Sequence, residues 1–187
     1  MKKTIYFITG NKSKFNEAEL LLRGLDISLV QKDLNLVEPK TLSQEEVVLE
    51  KARQAFQKLK KPVLVDDTGI YFEAYNDFPG TFTKTLFQSI GFEGVEKLLE
   101  GADRNAFFKT LVCYKDSSAT KVFSGVWKGR IVDKISRMFN PDWEYNSIFI
   151  PENCKKPLSE IPLDERARKS HRKKAFDSLK KYLRCLK

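Results

Sequence analysis

The sequence predicts an α/β protein, and three observations carry that reading. Strand and helix patterns alternate through the first third, a two-strand hairpin pattern occupies residues 106–132, and an amphipathic helix closes the chain. The opening TIYFITG alternates apolar and polar residues as a strand, Gly10-Asn11 punctuates it, and Phe15, Ala18, Leu21 and Leu22 recur at helical spacing. That is the first half of a βαβ unit. Ser43 and Glu46 fit a capping box for a second helix, whose apolar positions Val48, Ala52, Ala55 and Leu59 run until Pro62 stops it. The continuous apolar run Val63-Leu64-Val65 then predicts a buried strand over 63–66, leading into Asp66, Asp67 and a turn near Gly69. After a loop over 76–80 ending in Pro-Gly, Val95, Leu98 and Leu99 continue a helix. AFFKTLVCYK and KVFSGVWKGRIV read as hairpin strands around a polar turn at 116–119, with Gly125 and Gly129 marking a bulge or bend. YNSIFI predicts a short strand before Pro151. In the last helix Ala175, Phe176, Leu179, Tyr182 and Leu183 share a face opposite Lys174, Lys180, Lys181 and Arg184. No repeat and no linker divides the 187 residues, so a single domain is expected.

Composition narrows the class. No apolar run approaches the roughly 18 residues that a membrane span needs, and MKKTIYFITG passes into strand-like sequence without a cleavage region. A cytoplasmic protein is expected, with no membrane partner. Cys113, Cys154 and Cys185 have neither zinc spacing nor a disulfide pattern, and free thiols are expected. The net charge is +9, but residues 164–187 carry ten Lys/Arg against three acids, so the basicity is local. Such a segment can face solvent, hold nucleic acid, or present cations to a phosphate-rich small molecule.

Four features could carry chemistry. Asp66 and Asp67 stand where a buried strand ends, the place at which α/β proteins bind ligands and where one or two carboxylates suit Mg²⁺. The alternative is that one caps a turn while the other is solvated. Adjacent strand residues face opposite ways, so at most one of the two can enter a given cleft while the strand stays regular. GNKSK lies between strand and helix, where free N–H groups and the helix dipole favour an anion; Asn11 and Lys14 could add to it, or Asn11 could simply cap the helix. Lys51 lies along an apolar helix stripe and Lys84 follows a Pro-Gly loop, so each either reaches into a cleft or snorkels to solvent. Ser170, His171 and Arg172 offer donors at a helix entry, suited to a purine carbonyl or a phosphate, or form a solvated basic run.

Four ordered blocks, TGNKSKFNEAELLL, PVLVDDTGIYFEAYNDFPGTFTK, FSGVWKGRIV and SHRKKAFDSLKKYL, resemble the inosine triphosphate pyrophosphatase family nearly end to end. That resemblance implies a long mixed central sheet with helices on both faces, two lobes around a deep cleft, and a homodimer. It also implies Mg²⁺-dependent hydrolysis of non-standard purine nucleoside triphosphates to the monophosphate and pyrophosphate. By the same resemblance Thr9, Gly10, Asn11, Lys14 and Lys51 bind the phosphates, the Asp-Asp-Ser/Thr-Gly signature falls on Asp66 to Gly69 and puts Thr68 and Gly69 in the substrate site, and Lys84 matches a substrate-binding Lys of one subgroup. Glu38 and Asp67 hold the metal, Asp67 or Asp66 handles the attacking water, and Ser170, His171 and Arg172 read the base. The base pocket departs from the family pattern: Phe-Gly-Tyr/Trp-Asp-Pro is here Trp143, Glu144, Tyr145, Asn146 and Ser147, and the usual Lys before Ser-His-Arg is Arg166. Glu144 adds a bulky acid, Asn146 turns an acceptor into a group that also donates, and Arg166 presents a planar fork. A rival reading keeps the fold but makes the chain a catalytically weak nucleotide- or nucleic-acid-binding protein. RARKSHRKK lacks the interleaved aromatics common in nucleic-acid readers, which argues against nucleic acid as the partner.

Overall fold

The chain is described here by a computed structural model covering residues 2–135 and 145–185. Strands are β1 Lys3–Ile8, β2 Ile27–Lys32, β3 Val63–Phe72, β4 Phe78–Pro79, β5 Asn105–Lys115, β6 Thr120–Ile131 and β7 Phe149–Pro151. Helices are α1 Lys12–Leu22, α2 Gln44–Leu59, α3 Thr83–Leu98, α4 Leu163–Lys169 and α5 His171–Cys185. The strands form one mixed sheet in the order β2-β1-β3-β5-β6-β7, with β4 on β3. β2, β1 and β3 are parallel, as expected when helices connect successive strands, and β3 onwards is antiparallel.

Strand alternation sorts the core into two faces. Ile5, Phe7, Leu64, Val112 and Tyr114 pack with Ala18 and Leu22 of α1 and Ala175, Phe176 and Leu179 of α5. Ile8, Val63, Val65, Leu111 and Cys113 pack with Val48, Ala52 and Ala55 of α2. A third cluster, including Phe72, Phe87, Phe108, Trp127 and Phe149, fills the end nearest α3. Helices thus cover both faces, which is why strands of opposite parity can each be apolar.

The strand carrying the acids is longer than expected. No turn follows Asp67: β3 continues to Phe72, in unbroken antiparallel register with β5 from Val63↔Lys115 to Phe72↔Ala106. Its parallel neighbour ends early. β1 pairs with β3 only at Tyr6↔Val63 and Phe7↔Leu64, and β4 takes up the same edge at Tyr71 and Phe72. Between them the β3 edge has no strand partner, and side chains serve instead: Lys51 Nζ donates to the Asp66 carbonyl at 3.2 Å and Thr83 Oγ1 accepts from the Ile70 amide at 3.0 Å. Gly69 lies within this gap because a Cβ there would collide with the Gly80 carbonyl.

Three other expectations need correction. Gly125 and Gly129 form no bulge, since β5 and β6 stay in register through Thr110↔Gly125 and Ala106↔Gly129. The glycine at 125 is needed for approach, because a Cβ would strike the His171 carbonyl at the start of α5. The predicted strand over 145–150 begins only at Phe149 and includes Pro151. Ser43 does cap α2, accepting from the Glu46 amide at 3.2 Å, but Glu46 bonds the Thr41 hydroxyl rather than completing the box. The short helix α4 was hidden in the basic run before His171.

Candidate functional site

The site is built around the gap in the β3 edge. Because β3 stays regular, Asp66 and Asp67 face opposite sides of the sheet, each with its own partners. Asp66 shares a face with Leu64 and meets α1 and α5: Oδ1 accepts from Lys14 Nζ at 3.1 Å and Oδ2 from Arg172 Nη2 at 3.3 Å. The Asp66 side chain is 2% exposed. Burial alone would raise its pKa, but Lys14, Arg172 and Lys51 outweigh burial and hold the carboxyl down to about 2. It is a fixed anion.

Asp67 shares a face with Val65 and meets α2. Gln44 Nε2 donates to Asp67 Oδ2 at 3.0 Å and to the carbonyls of Asp67 and Lys109, each at 3.2 Å. Here burial prevails over the attraction of Lys51, and the pKa is raised from the usual carboxylate value. Identical neighbours in sequence are thus shifted in opposite directions by the faces they occupy. Lys51 sits between them, bonded to Glu38 at 2.7 Å and to the Asp66 carbonyl. Glu38 feels burial first, then Lys51, Lys14 and Lys84, which together pull its pKa below the ordinary value. The three lysines singled out in the sequence therefore converge on one acidic cluster, with Lys84 reaching it from the exposed first turn of α3.

The β1–α1 turn sits beside this cluster. Asn11 Oδ1 caps α1 by accepting from the Lys14 amide at 3.0 Å, and Thr9 Oγ1 accepts from the Asn11 amide at 3.1 Å. The amides of Lys12 and Ser13, in the first helical turn, have no acceptor within the helix. A Cβ at Gly10 would press on Asp33 Oδ2 at 2.7 Å.

On the α5 side, Ser170 caps the helix through the Lys173 amide at 3.1 Å. Arg172 binds Glu17 at 2.7 Å and Thr68 Oγ1 at 3.2 Å as well as Asp66. Thr68 Oγ1 lies 2.7 Å from Thr110 Oγ1, which lies 2.9 Å from His171 Nδ1. Burial, then Arg172 and Lys14, push the His171 pKa well below its usual value, so the ring is neutral. Arg166 Nε donates to the Ile161 carbonyl at 2.7 Å, and its guanidinium feels Glu17. Tyr145 packs 4.6 Å from the Phe87 ring, and the Asn146 carbonyl accepts from Ser159 at 2.9 Å. Trp143 and Glu144 lie outside the described residues.

Three site neighbours were not singled out in the sequence. Glu17 follows Lys14 by three positions on the same helix face, a spacing that pairs side chains. Thr110 interrupts an apolar alternation opposite Thr68 in the β3–β5 register. Gln44 opens α2 as a buried amide, and nothing in the local sequence marks it.

Among the described residues no three His, Cys, Asp or Glu side chains converge into a metal cage. Two carboxylates do flank Lys51, Glu38 and Asp67, and Gln44 Oε1 is a buried oxygen without a partner beside Asp67. Mg²⁺ takes one or two carboxylates and keeps water on its other positions, so this oxygen-only set fits it. Surface hollows lined by Lys2, Glu19 and Arg23, and by Val37, Pro39 and Glu50, share no residue with the cluster. Among the described residues no helix is long and apolar enough to cross a membrane.

The chain is similar to proteins already known. A dITP/XTP pyrophosphatase of Saccharolobus solfataricus is 34% identical over 177 residues, covering 94% of this chain and 91% of that protein. An inosine triphosphate pyrophosphatase of Kluyveromyces lactis is 32% identical, covering 97% of this chain and 96% of that protein. A solved structure of a HAM1 protein from Coxiella burnetii superposes with a TM-score of 0.84 at 26% identity, covering 97% of this chain and 98% of that one. The Ham1 family matches residues 5–182, spanning the β1–α1 turn, the paired acids and the Ser-His-Arg segment, and the chain belongs to the Ham1 family.

Proposed function

We propose that this chain hydrolyses non-standard purine nucleoside triphosphates to the nucleoside monophosphate and pyrophosphate, removing them from the nucleotide pool. The observation that carries the reading is the convergence of Lys14, Lys51 and Lys84 on Glu38, Asp66 and Asp67 at an unpaired strand edge, beside a helix N-terminus. Its relatives are named for dITP, XTP and inosine triphosphate.

The residues divide the work by charge. The amides of the Gly10 turn and the side chains of Thr9, Asn11, Lys14, Lys51 and Lys84 bind the triphosphate and offset the charge that develops on it. Thr68 and Gly69 keep the strand edge open to phosphate oxygens. Glu38 and Asp67 would hold Mg²⁺, which when bound neutralises phosphate charge and lowers the pKa of water. Asp67, on the α2 side of the strand and free of the paired cations that hold Asp66, orients the attacking water. Asp66 accepts no proton near neutrality and instead anchors Lys14 and Arg172. Ser170, His171, Arg172 and Arg166 border the base with Trp143, Tyr145 and Asn146. The gap in the sheet becomes the floor of a cleft between two lobes of a cytoplasmic homodimer.

A kinetic panel tests this. Inosine, xanthosine, guanosine, adenosine and pyrimidine triphosphates are compared by kcat/KM, with Mg²⁺ and with chelator. The expected result is metal-dependent turnover with 6-oxo purines preferred over adenosine triphosphate. Equal rates across the panel, or rates unaffected by chelation, would contradict it.

A further inference from the structure

The hydroxyls of Thr68 and Thr110 join Arg172 to the ring of His171 in an unbroken line: Arg172 Nη2 to Thr68 at 3.2 Å, Thr68 to Thr110 at 2.7 Å, Thr110 to His171 Nδ1 at 2.9 Å. All four residues lie on the α1/α5 face, because Thr68 and Thr110 are register partners on β3 and β5. Thr110 is fully buried, so water does not compete for its hydroxyl.

The line has a direction. A guanidinium only donates, so the Thr68 oxygen accepts from Arg172. The Thr68 proton then has one acceptor among its described partners, the Thr110 oxygen. Having accepted from Thr68, Thr110 must turn its own proton to His171 Nδ1. The reverse polarity would make Thr68 accept twice and leave its proton with no acceptor among the described residues, a loss for a half-buried hydroxyl. Because His171 is neutral, it carries one ring proton, and an accepting Nδ1 leaves that proton on Nε2.

We propose that Thr110 is a positioning residue that fixes His171 as the Nε2–H tautomer, so that the ring offers a donor and selects a base carrying an acceptor at purine position 6. The base-selecting half rests on the hydrolase reading above; the tautomer half does not. A 6-oxo purine presents an acceptor to that N–H, whereas the 6-amino group of adenine presents donors. A buried donor facing a donor is unpaired, which is the strongest form of rejection available to a polar site. Without Thr110 the ring could place its proton on either nitrogen.

His171 is the only histidine, so its ring nitrogens can be observed without assignment by mutation. Two-bond ¹H–¹⁵N spectra of the free protein report the tautomer directly. The expected spectrum has a protonated Nε2 and a bare Nδ1 in the unmodified chain and in Thr110→Ser, and a mixture of tautomers in Thr110→Val. A protonated Nδ1 in the unmodified chain would overturn the proposal whether or not any variant folds, and so would an unchanged tautomer in folded Thr110→Val. In the kinetic arm, Thr110→Val should lower the ratio of kcat/KM for inosine over adenosine triphosphate by about tenfold, the worth of one hydrogen bond, while Thr110→Ser retains it. A shifted tautomer with an unchanged ratio would overturn the link to base choice. Absence of any turnover in the unmodified chain would overturn the hydrolase reading and leave the spectra to judge the relay.

Discussion

Asp66 and Asp67 are chemically identical and adjacent, yet Asp66 is a permanent anion between two cations and Asp67 is a carboxylate that burial makes more basic. The Asp66 shift sets a stability test. Its folded pKa of about 2 lies below the ordinary 3.8, so the group stabilises the fold fully above 3.8 and loses that contribution as pH falls towards 2. Asp66→Asn should flatten the acid-side decline of chemical-denaturation stability in that window, and an unaltered decline would show the pairs with Lys14 and Arg172 to be without effect. Asp66→Ala should cost about 3–5 kcal/mol at neutral pH, since Lys14 and Arg172 lose a buried partner. The lysines make a different prediction. Lys14→Ala and Lys51→Ala should weaken every triphosphate by a similar factor, because a charge contact to phosphate carries no information about the ring. A changed ratio between inosine and guanosine triphosphate would move that lysine from the phosphates to the base. At this scale the sequence was legible where residue type limits the chemistry, as with the acids and lysines. It was silent on Gln44 and Glu17, whose importance comes from what folding brings beside them.

At the scale of elements, α1, α2, α5 and the β5–β6 hairpin were readable because apolar spacing and capping residues act locally. The length of β3 was not. Asp66, Asp67 and Gly69 resemble the end of a strand, but β5 holds them in register and Thr83 and Lys51 satisfy the exposed edge. Tertiary pairing overrode the local signal. The same lesson applies to Gly125, whose sequence signature is a bulge and whose structural role is to let the first turn of α5 touch β6. Gly125→Ala should therefore lower Tm and, by lifting the start of α5, reduce kcat/KM through displaced His171 and Arg172. Full stability and activity would show that β6 and α5 can separate without consequence for the site.

For the whole molecule, the change from parallel to antiparallel pairing at β3 opens one strand edge in an otherwise continuous sheet, and the charged groups gather at that opening. The basic C-terminal segment contributes to it through Arg172, which bonds Glu17 of α1 and Asp66 of β3. Base preference turns on the positions at which this chain departs from the family pattern, Glu144 and Asn146 in place of a Gly and an Asp. Guanine carries a 2-amino donor that Glu144 could accept, so discrimination against guanosine triphosphate should be weaker than in the family at large. Glu144→Gly should restore it by about 1–3 kcal/mol in relative kcat/KM, and an unchanged ratio would show that Glu144 has no part in base choice. The central claim, that the acidic cluster on β3 drives pyrophosphate release, is tested most directly by identifying the products from inosine triphosphate and Mg²⁺ with the unmodified chain and with Asp67→Asn. The account predicts inosine monophosphate and pyrophosphate in equal amounts, at a rate lowered at least about 10²-fold in a folded Asp67→Asn protein; inosine diphosphate with inorganic phosphate, or undiminished turnover in Asp67→Asn, would contradict it.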